Sequence, residues 1–217
     1  MRTYKLHLIR HGMTDGNVEG QYVGRTDLKI TTNGIIEIEK LKERGVYPKC
    51  DAVFSSPLSR AVDTAKIIYP EKEVLINENF TEIDFGEFEC KTPEDLKDNK
   101  DYADWLAGKI PAAPGGESWV DFAARLCTGI GETIKYMMDN DMYSAAIVIH
   151  GGAIMTLLSV AAVPRMKMAE WACGNGRGYT ISITPSLYQS TGILEVVGEI
   201  PDGEARVING AQKRIMK

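Results

Sequence analysis

Residues Ala145 to Val163, AAIVIHGGAIMTLLSVAAV, form a run of 19 residues without a formal charge. A bilayer needs roughly 20 apolar residues for a spanning helix, so this segment must be either membrane-embedded or buried in a protein core. His150-Gly151-Gly152 interrupts it. β-Branched residues crowd the first part, whereas Ala, Met and Leu fill the second. The composition therefore reads as a buried strand, a turn and a helix rather than one span.

The rest of the chain repeats that unit. Tyr4 to Ile9 and the short DAVFS run, Asp51 to Ser55, read as buried strands, each followed by a helical pattern. The first helix is predicted to start at Thr31 or Thr32, expose a core face through Ile35, Ile38 and Leu41, and stop at Gly45. The second is predicted to have Ser56 as cap and Pro57 at its first position, with Leu58, Val62, Ala65 and Ile68 facing the core before Pro70. Val74 to Ile76 is a weaker strand. Ser118 is predicted to cap a long helix to about Asn140, with Asp121 three residues on. Ala145 to Ile149, Tyr179 to Thr184 and Ile193 to Val197 supply further strands.

Alternation of this kind predicts an α/β fold, three-layered, with a mainly parallel central sheet flanked by helices. A chain of 217 residues, 44% of them apolar, suits one domain over 1–217. The segment from Phe85 to Gly116, with its short helical pieces and PAAPGG, is expected to be a lid-like insertion.

The net charge of −5 argues against nucleic acid or an anionic membrane as partner, so an anionic ligand must be met by locally clustered cations. Cys50, Cys90, Cys127 and Cys173 are scattered without a CxxC pair, which suggests neither a zinc site nor a disulfide framework. Arg2, Lys5, His7 and Arg10 interrupt any signal-peptide core. A cytoplasmic setting is the expectation, and a homodimer is left open.

In an open α/β sheet, ligands bind beyond the carboxyl ends of the strands. Arg10-His11 and His150 both fall at such an end, each followed by glycine, and together they use two of only three histidines. His7 lies inside its strand and receives no role. Arg60 sits in the first turns of a helix, where the macrodipole disfavours a cation by about 0.3–1 kcal/mol. A bound dianion reverses that sign, since helix terminus and guanidinium would then both attract it. Arg10, Arg60 and two imidazoles thus form a cationic pocket suited to a phosphoryl group. No carboxylate cluster with metal-ligand spacing lies near them, so no cofactor is called for. A neutral imidazole is a nucleophile that needs no base to unmask it, and either histidine could serve.

LIRHGMTDGN, FSSPLSRAVDTAKII, FTEIDFGEFEC, PGGESWVDFAARL and AAIVIHGGAI, in that order from residue 4 to about 160, resemble the motifs of the histidine phosphatase (phosphoglycerate mutase-like) superfamily. The resemblance implies that His11 is the nucleophile and forms a phosphohistidine. It implies that Arg10, Arg60 and His150 hold the phosphoryl oxygens and that Glu82 is the proton donor and later the base. Asn17, with Thr14, Gly24 and the Gly151 amide, would complete the pocket. Glu82 must then start protonated, through burial or a neighbouring carboxylate; Asp84 is the alternative acid. Met13, Lys29-Ile30 and FEC depart from the usual Glu, Pro-Leu and Trp-Glu-Gly without removing a catalytic group.

The arginine-rich segments of phosphoglycerate mutases are not found, so a metal-independent phosphomonoesterase acting on a small phosphorylated metabolite is preferred. The compact chain and EIDFGEFEC look most like the alpha-ribazole phosphatase and broad-specificity phosphatase branch. A bisphosphoglycerate-dependent mutase and a non-catalytic phospho-ligand binding module are the alternatives. Tyr102, Trp105 and Trp119 are placed to cover an apolar or aromatic leaving group, in competition with core packing.

Overall fold

The structure, a computed structural model, describes residues 3–205. Strand β1 (Tyr4–Arg10) is followed by one short helix, α1 (Asp15–Glu19), which the sequence reading did not include. Thr14 caps it: its hydroxyl accepts from the Asn17 amide, and the Asn17 side chain accepts from the Thr14 amide. Helix α2 (Thr32–Glu43) starts at the Thr31 cap as expected.

Strand β2 (Ala52–Ser55) leads into α3 (Ser59–Ile68), and here the expected start moves. Leu58 takes the N-cap position, and the Ser56 hydroxyl, two residues earlier, accepts from the Leu58 amide at 3.4 Å and lies 2.7 Å from His150 Nε2. The buried stripe shifts to Arg60, Ala61, Thr64, Ala65 and Ile68, which leaves Val62 half-buried.

After β3 (Val74–Ile76), the stretch from 85 to 116 carries two short helices, α4 (Pro93–Leu96) and α5 (Lys100–Leu106). Ser118 caps α6 (Trp119–Asp139) as predicted. The long uncharged run divides into β4 (Ser144–Ile149), α7 (Gly151–Ala161) and a two-residue strand β5 (Ala162–Val163). β6 (Gly178–Ile183), α8 (Pro185–Thr191) and β7 (Leu194–Ile200) follow, of which α8 had no counterpart in the sequence reading. Among the described residues no helix is long and apolar enough to cross a membrane.

The strands form one sheet in the order β3-β2-β4-β1-β6-β7-β5. Pairing is parallel from β3 through β1 and between β5 and β7, whereas β6 runs antiparallel to both neighbours. The sheet is thus mainly parallel with one reversed strand.

Period-two alternation feeds two core layers. Leu6, Leu8, Ile147 and Ile149 pack with Phe122, Leu126, Ile130 and Ile154 of α6 and α7. Ile9, Ala146, Val148 and Val53 point the other way, toward Ile38 of α2 and Ala61, Ala65 and Ile68 of α3. A third cluster, Tyr22, Phe88, Leu96, Tyr102 and Ala113, ties the 85–116 stretch to the loop after α1. His7 is a core histidine bonded to Thr180 at 3.1 Å, in keeping with its lack of an assigned role.

Candidate active site

Parallel pairing brings the two histidines together. Arg10 is in register with Ile149, so the residues that follow each strand, His11 and His150, become neighbours, and their rings lie 5.2 Å apart. β2 pairs with β4 on the other side, which sets Ser56 beside the same spot. Imidazole and hydroxyl meet at 2.7 Å between His150 Nε2 and Ser56 Oγ.

Arg60 projects from the first turn of α3 with its guanidinium donating to His150 Nδ1 at 3.2 Å, to the Thr26 carbonyl at 2.8 Å and to the Gly24 carbonyl at 2.6 Å. Those acceptors offset the unfavourable helix terminus. Because a guanidinium only donates, His150 Nδ1 is the acceptor, which leaves Nε2 to carry the proton toward Ser56.

His11 is oriented differently. Its Nδ1 is 2.6 Å from the Gly12 carbonyl oxygen. A carbonyl only accepts, so Nδ1 bears the proton and Nε2 bears the lone pair. Burial, with the Arg60 and Arg10 charges nearby, holds His11 well below its ordinary value of 6.5. His150 is pushed in the same direction, first by burial and then by Arg60. Both rings are neutral at physiological pH.

Glu82 is buried, 5% exposed, at the N-terminus of α7. Its Oε2 accepts from the Gly152 amide at 2.9 Å and its Oε1 from the Ile83 amide at 3.0 Å. These bonds and the Arg60 charge favour the carboxylate, but burial outweighs them and raises the pKa above the ordinary 4.5. Close approach explains the two glycines after His150. A Cβ on Gly151 would lie 3.1 Å from the Arg10 guanidinium, and one on Gly152 would lie 2.7 Å from Glu82 Oε1. Arg10 itself donates from Nη1 to the Cys173 carbonyl at 2.7 Å.

A cavity of about 370 Å³ opens above these groups, with Arg10, His11, Glu82, Gly151 and Gly152 on its wall and Asn17 at its side. Arg60 and His150 do not line it; they are covered, 1% and 0% exposed, and touch one another. Gly24 and Thr14 do not line it either. Gly24 acts on Arg60 through its carbonyl, and Thr14 is a helix cap. Asp84, the alternative acid, is half-buried, bonded to the Gly86 amide at 2.8 Å and 3.6 Å from Arg25, outside the cavity wall.

Two supporting residues escaped the sequence reading. Glu89 accepts from the amides of Gly24, Arg25, Thr26 and Phe85 and from the Thr26 hydroxyl, and so shapes the loop whose carbonyls grip Arg60. Asn175 bridges the His11 carbonyl and the Asn17 side chain at 2.9 and 3.1 Å. FGEFEC contains three ionisable side chains, and nothing in its spacing separates a loop organiser from a solvated acid.

Of the aromatics expected near a leaving group, Tyr102 is core, with its hydroxyl 2.8 Å from that of Tyr22. Trp105 and Trp119 line the cavity. Among the described residues no group of three or more His, Cys, Asp or Glu is arranged to hold a metal ion.

The sequence matches the histidine phosphatase superfamily, branch 1, over residues 6–192. The chain belongs to this superfamily. It is a phosphatase-type enzyme. Its relatives within the superfamily differ in activity. An adenosylcobalamin/alpha-ribazole phosphatase of Salmonella typhimurium is 30% identical over 160 residues, 71% of this chain and 78% of that one. A 2,3-bisphosphoglycerate-dependent phosphoglycerate mutase of Methylorubrum populi is also 30% identical, over 169 residues, 71% of this chain and 77% of that one. The fold is that of the crystal structure of an alpha-ribazole phosphatase from Shigella flexneri, with a TM-score of 0.77 at 24% identity, covering 94% of this chain and 100% of the other.

Proposed function

We propose that this histidine phosphatase hydrolyses a small phosphorylated metabolite without a metal, by way of a phosphohistidine on His11. The observation that carries the reading is the bond from His11 Nδ1 to the Gly12 carbonyl, which leaves the Nε2 lone pair for attack. In the first step Nε2 bonds to phosphorus, the bond from phosphorus to the alcohol oxygen breaks, and the Glu82 proton passes to the departing oxygen. In the second, the Glu82 carboxylate takes a proton from water, the water oxygen bonds to phosphorus, and the N–P bond breaks to release phosphate and neutral His11.

Arg10 and the Gly151 amide border the cavity and meet the phosphoryl oxygens directly, with Asn17 beside them. Arg60 and His150 join them once the incoming dianion draws them from their present partners, and Gly24 contributes through its hold on Arg60. The whole chain serves as one domain in a cytoplasmic setting, with 85–116 as lid.

Purified protein should hydrolyse p-nitrophenyl phosphate in the presence of a chelator and yield an acid-labile, base-stable phosphoryl adduct. His11→Ala should abolish both; a fully active variant would overturn the reading. The mutase alternative is favoured by the Methylorubrum relative, but Arg10 is the one cation on the cavity wall among the described residues, which leaves a second phosphoryl group without a partner. Isomerisation of phosphoglycerate dependent on bisphosphoglycerate would decide for it. Tight phosphate binding without turnover of any ester would point to the binding module.

A further inference from the structure

The cavity is polar at one end only. Beyond Arg10, His11 and Glu82 its wall is largely the apolar and aromatic surface of Tyr22, Phe85, Trp105, Leu106, Trp119 and Met155, with the amides of Asn17 and Gln21 beside them. The aromatic part is packed ring on ring. Trp105 stacks on Trp119 at 6.1 Å with 17° between planes, and stands edge-on to Tyr22 and Phe85 at 5.8 and 6.2 Å. Leu106, at the end of α5, is 62% exposed at the cavity although it is a large aliphatic side chain. A ligand that covered it would remove apolar surface from water on both sides.

Charge limits the ligand further. Among the described residues Arg10 is the lone cation on the wall, and a bound phosphoryl group at His11 would occupy it. A carboxylate on the leaving group would then enter an apolar chamber in a chain of net charge −5 with no second cation on that wall to meet it. Burying an unpaired charge is costly. A polyhydroxyl leaving group fares little better, because each buried hydroxyl needs a partner, and beyond the reacting end the wall offers the indole N–H groups of Trp105 and Trp119 and two amides already in use: Asn17 Oδ1 accepts from the Thr14 amide and Asn175, and Gln21 Nε2 donates to Glu19.

We infer that the enzyme's substrates are monoesters of an alcohol bearing a flat aromatic or bulky apolar group and no second anion, with Leu106 and the Trp105–Trp119 pair selecting them. The inference rests on the reading that His11 attacks a phosphoryl group at the cavity floor, and its test separates the two.

Purified enzyme is assayed on 2-naphthylmethyl phosphate, glycerol 1-phosphate and O-phosphoserine, primary alkyl esters that share a poor leaving group, with p-nitrophenyl phosphate as the general phosphatase readout. The naphthylmethyl ester should have a kcat/KM about tenfold to a hundredfold above the other two, mainly through KM. Leu106→Arg, at an exposed position that the fold does not depend on, should raise KM for the naphthylmethyl ester and lower it for phosphoserine. Equal or better use of phosphoserine by the unmodified enzyme overturns the inference while p-nitrophenyl phosphate turnover leaves the phosphatase reading standing. Failure to hydrolyse any of the four overturns both.

Discussion

His11 and Glu82 illustrate how environment divides labour between side chains. An imidazole kept neutral first by burial and then by neighbouring guanidinium groups retains its lone pair into acid, whereas a buried carboxyl keeps its proton to higher pH. The sign for each limb follows from the proposed mechanism. Activity should fall on the acid side where His11 gains a proton, at a pH below 6.5, and on the alkaline side as Glu82 loses the proton it is proposed to donate, at a pH above 4.5. Glu82→Gln should lower kcat by about 10²- to 10⁴-fold and remove the alkaline limb. A series of kcat/KM values from about pH 4 to 9 checks this; an unchanged alkaline limb in the variant would assign the acid elsewhere. Residue chemistry could name these groups from the motifs. It could not show that Glu82 is buried against an α-helix terminus or that Asp84, two residues on, lies outside the cavity wall, since both acids look alike in one dimension.

At the scale of elements, the site is built by strand ends and by one loop. In-register parallel pairing makes His11 and His150 neighbours, and the loop at 24–26 presents the carbonyls that orient Arg60. Glu89 holds that loop by gathering four backbone amides and a hydroxyl. Glu89→Ala leaves those amides without their acceptor and should cost about 2 kcal/mol or more in stability, together with a fall in kcat/KM as Arg60 loses its seat. Urea unfolding and steady-state kinetics measure the two effects. Unchanged values for both would mean that the loop keeps its shape unaided. Elements with strong periodicity, such as α2, α6 and the β4–α7 pair, are legible in the sequence. The start of α3 is not, because Ser56 is as good a cap by composition as any serine, and nothing local shows that its hydroxyl is shared between the Leu58 amide and His150.

For the whole molecule, the three histidines are all buried in their neutral form, with His7 held down to about 4. In the unfolded chain each takes up a proton as pH drops through 6.5, while the folded chain resists, so the unfolded state binds more protons and stability declines with acidification. The slope is up to about 1.4 kcal/mol per pH unit for each such histidine. Glu82 acts in the opposite sense, since its raised pKa lets the folded state hold a proton that the unfolded state has released. With the histidines outnumbering it, the urea midpoint should fall between about pH 7 and 5, and less steeply in His7→Gln. A flat profile would contradict the neutral burial of these rings. The sequence by itself determined the alternating α/β order, the buried strand-turn-helix at 145–163, and which side chains had the chemistry to handle a phosphoryl group, because periodicity and residue type are local properties. Tertiary structure alone decided that β6 runs against its neighbours, that Arg60 and His150 lock onto one another, that Glu89 supports them, and that Trp105 faces the cavity while Tyr102 does not. Those outcomes depend on which distant segments come within a few ångströms, and sheet pairing sets that distance.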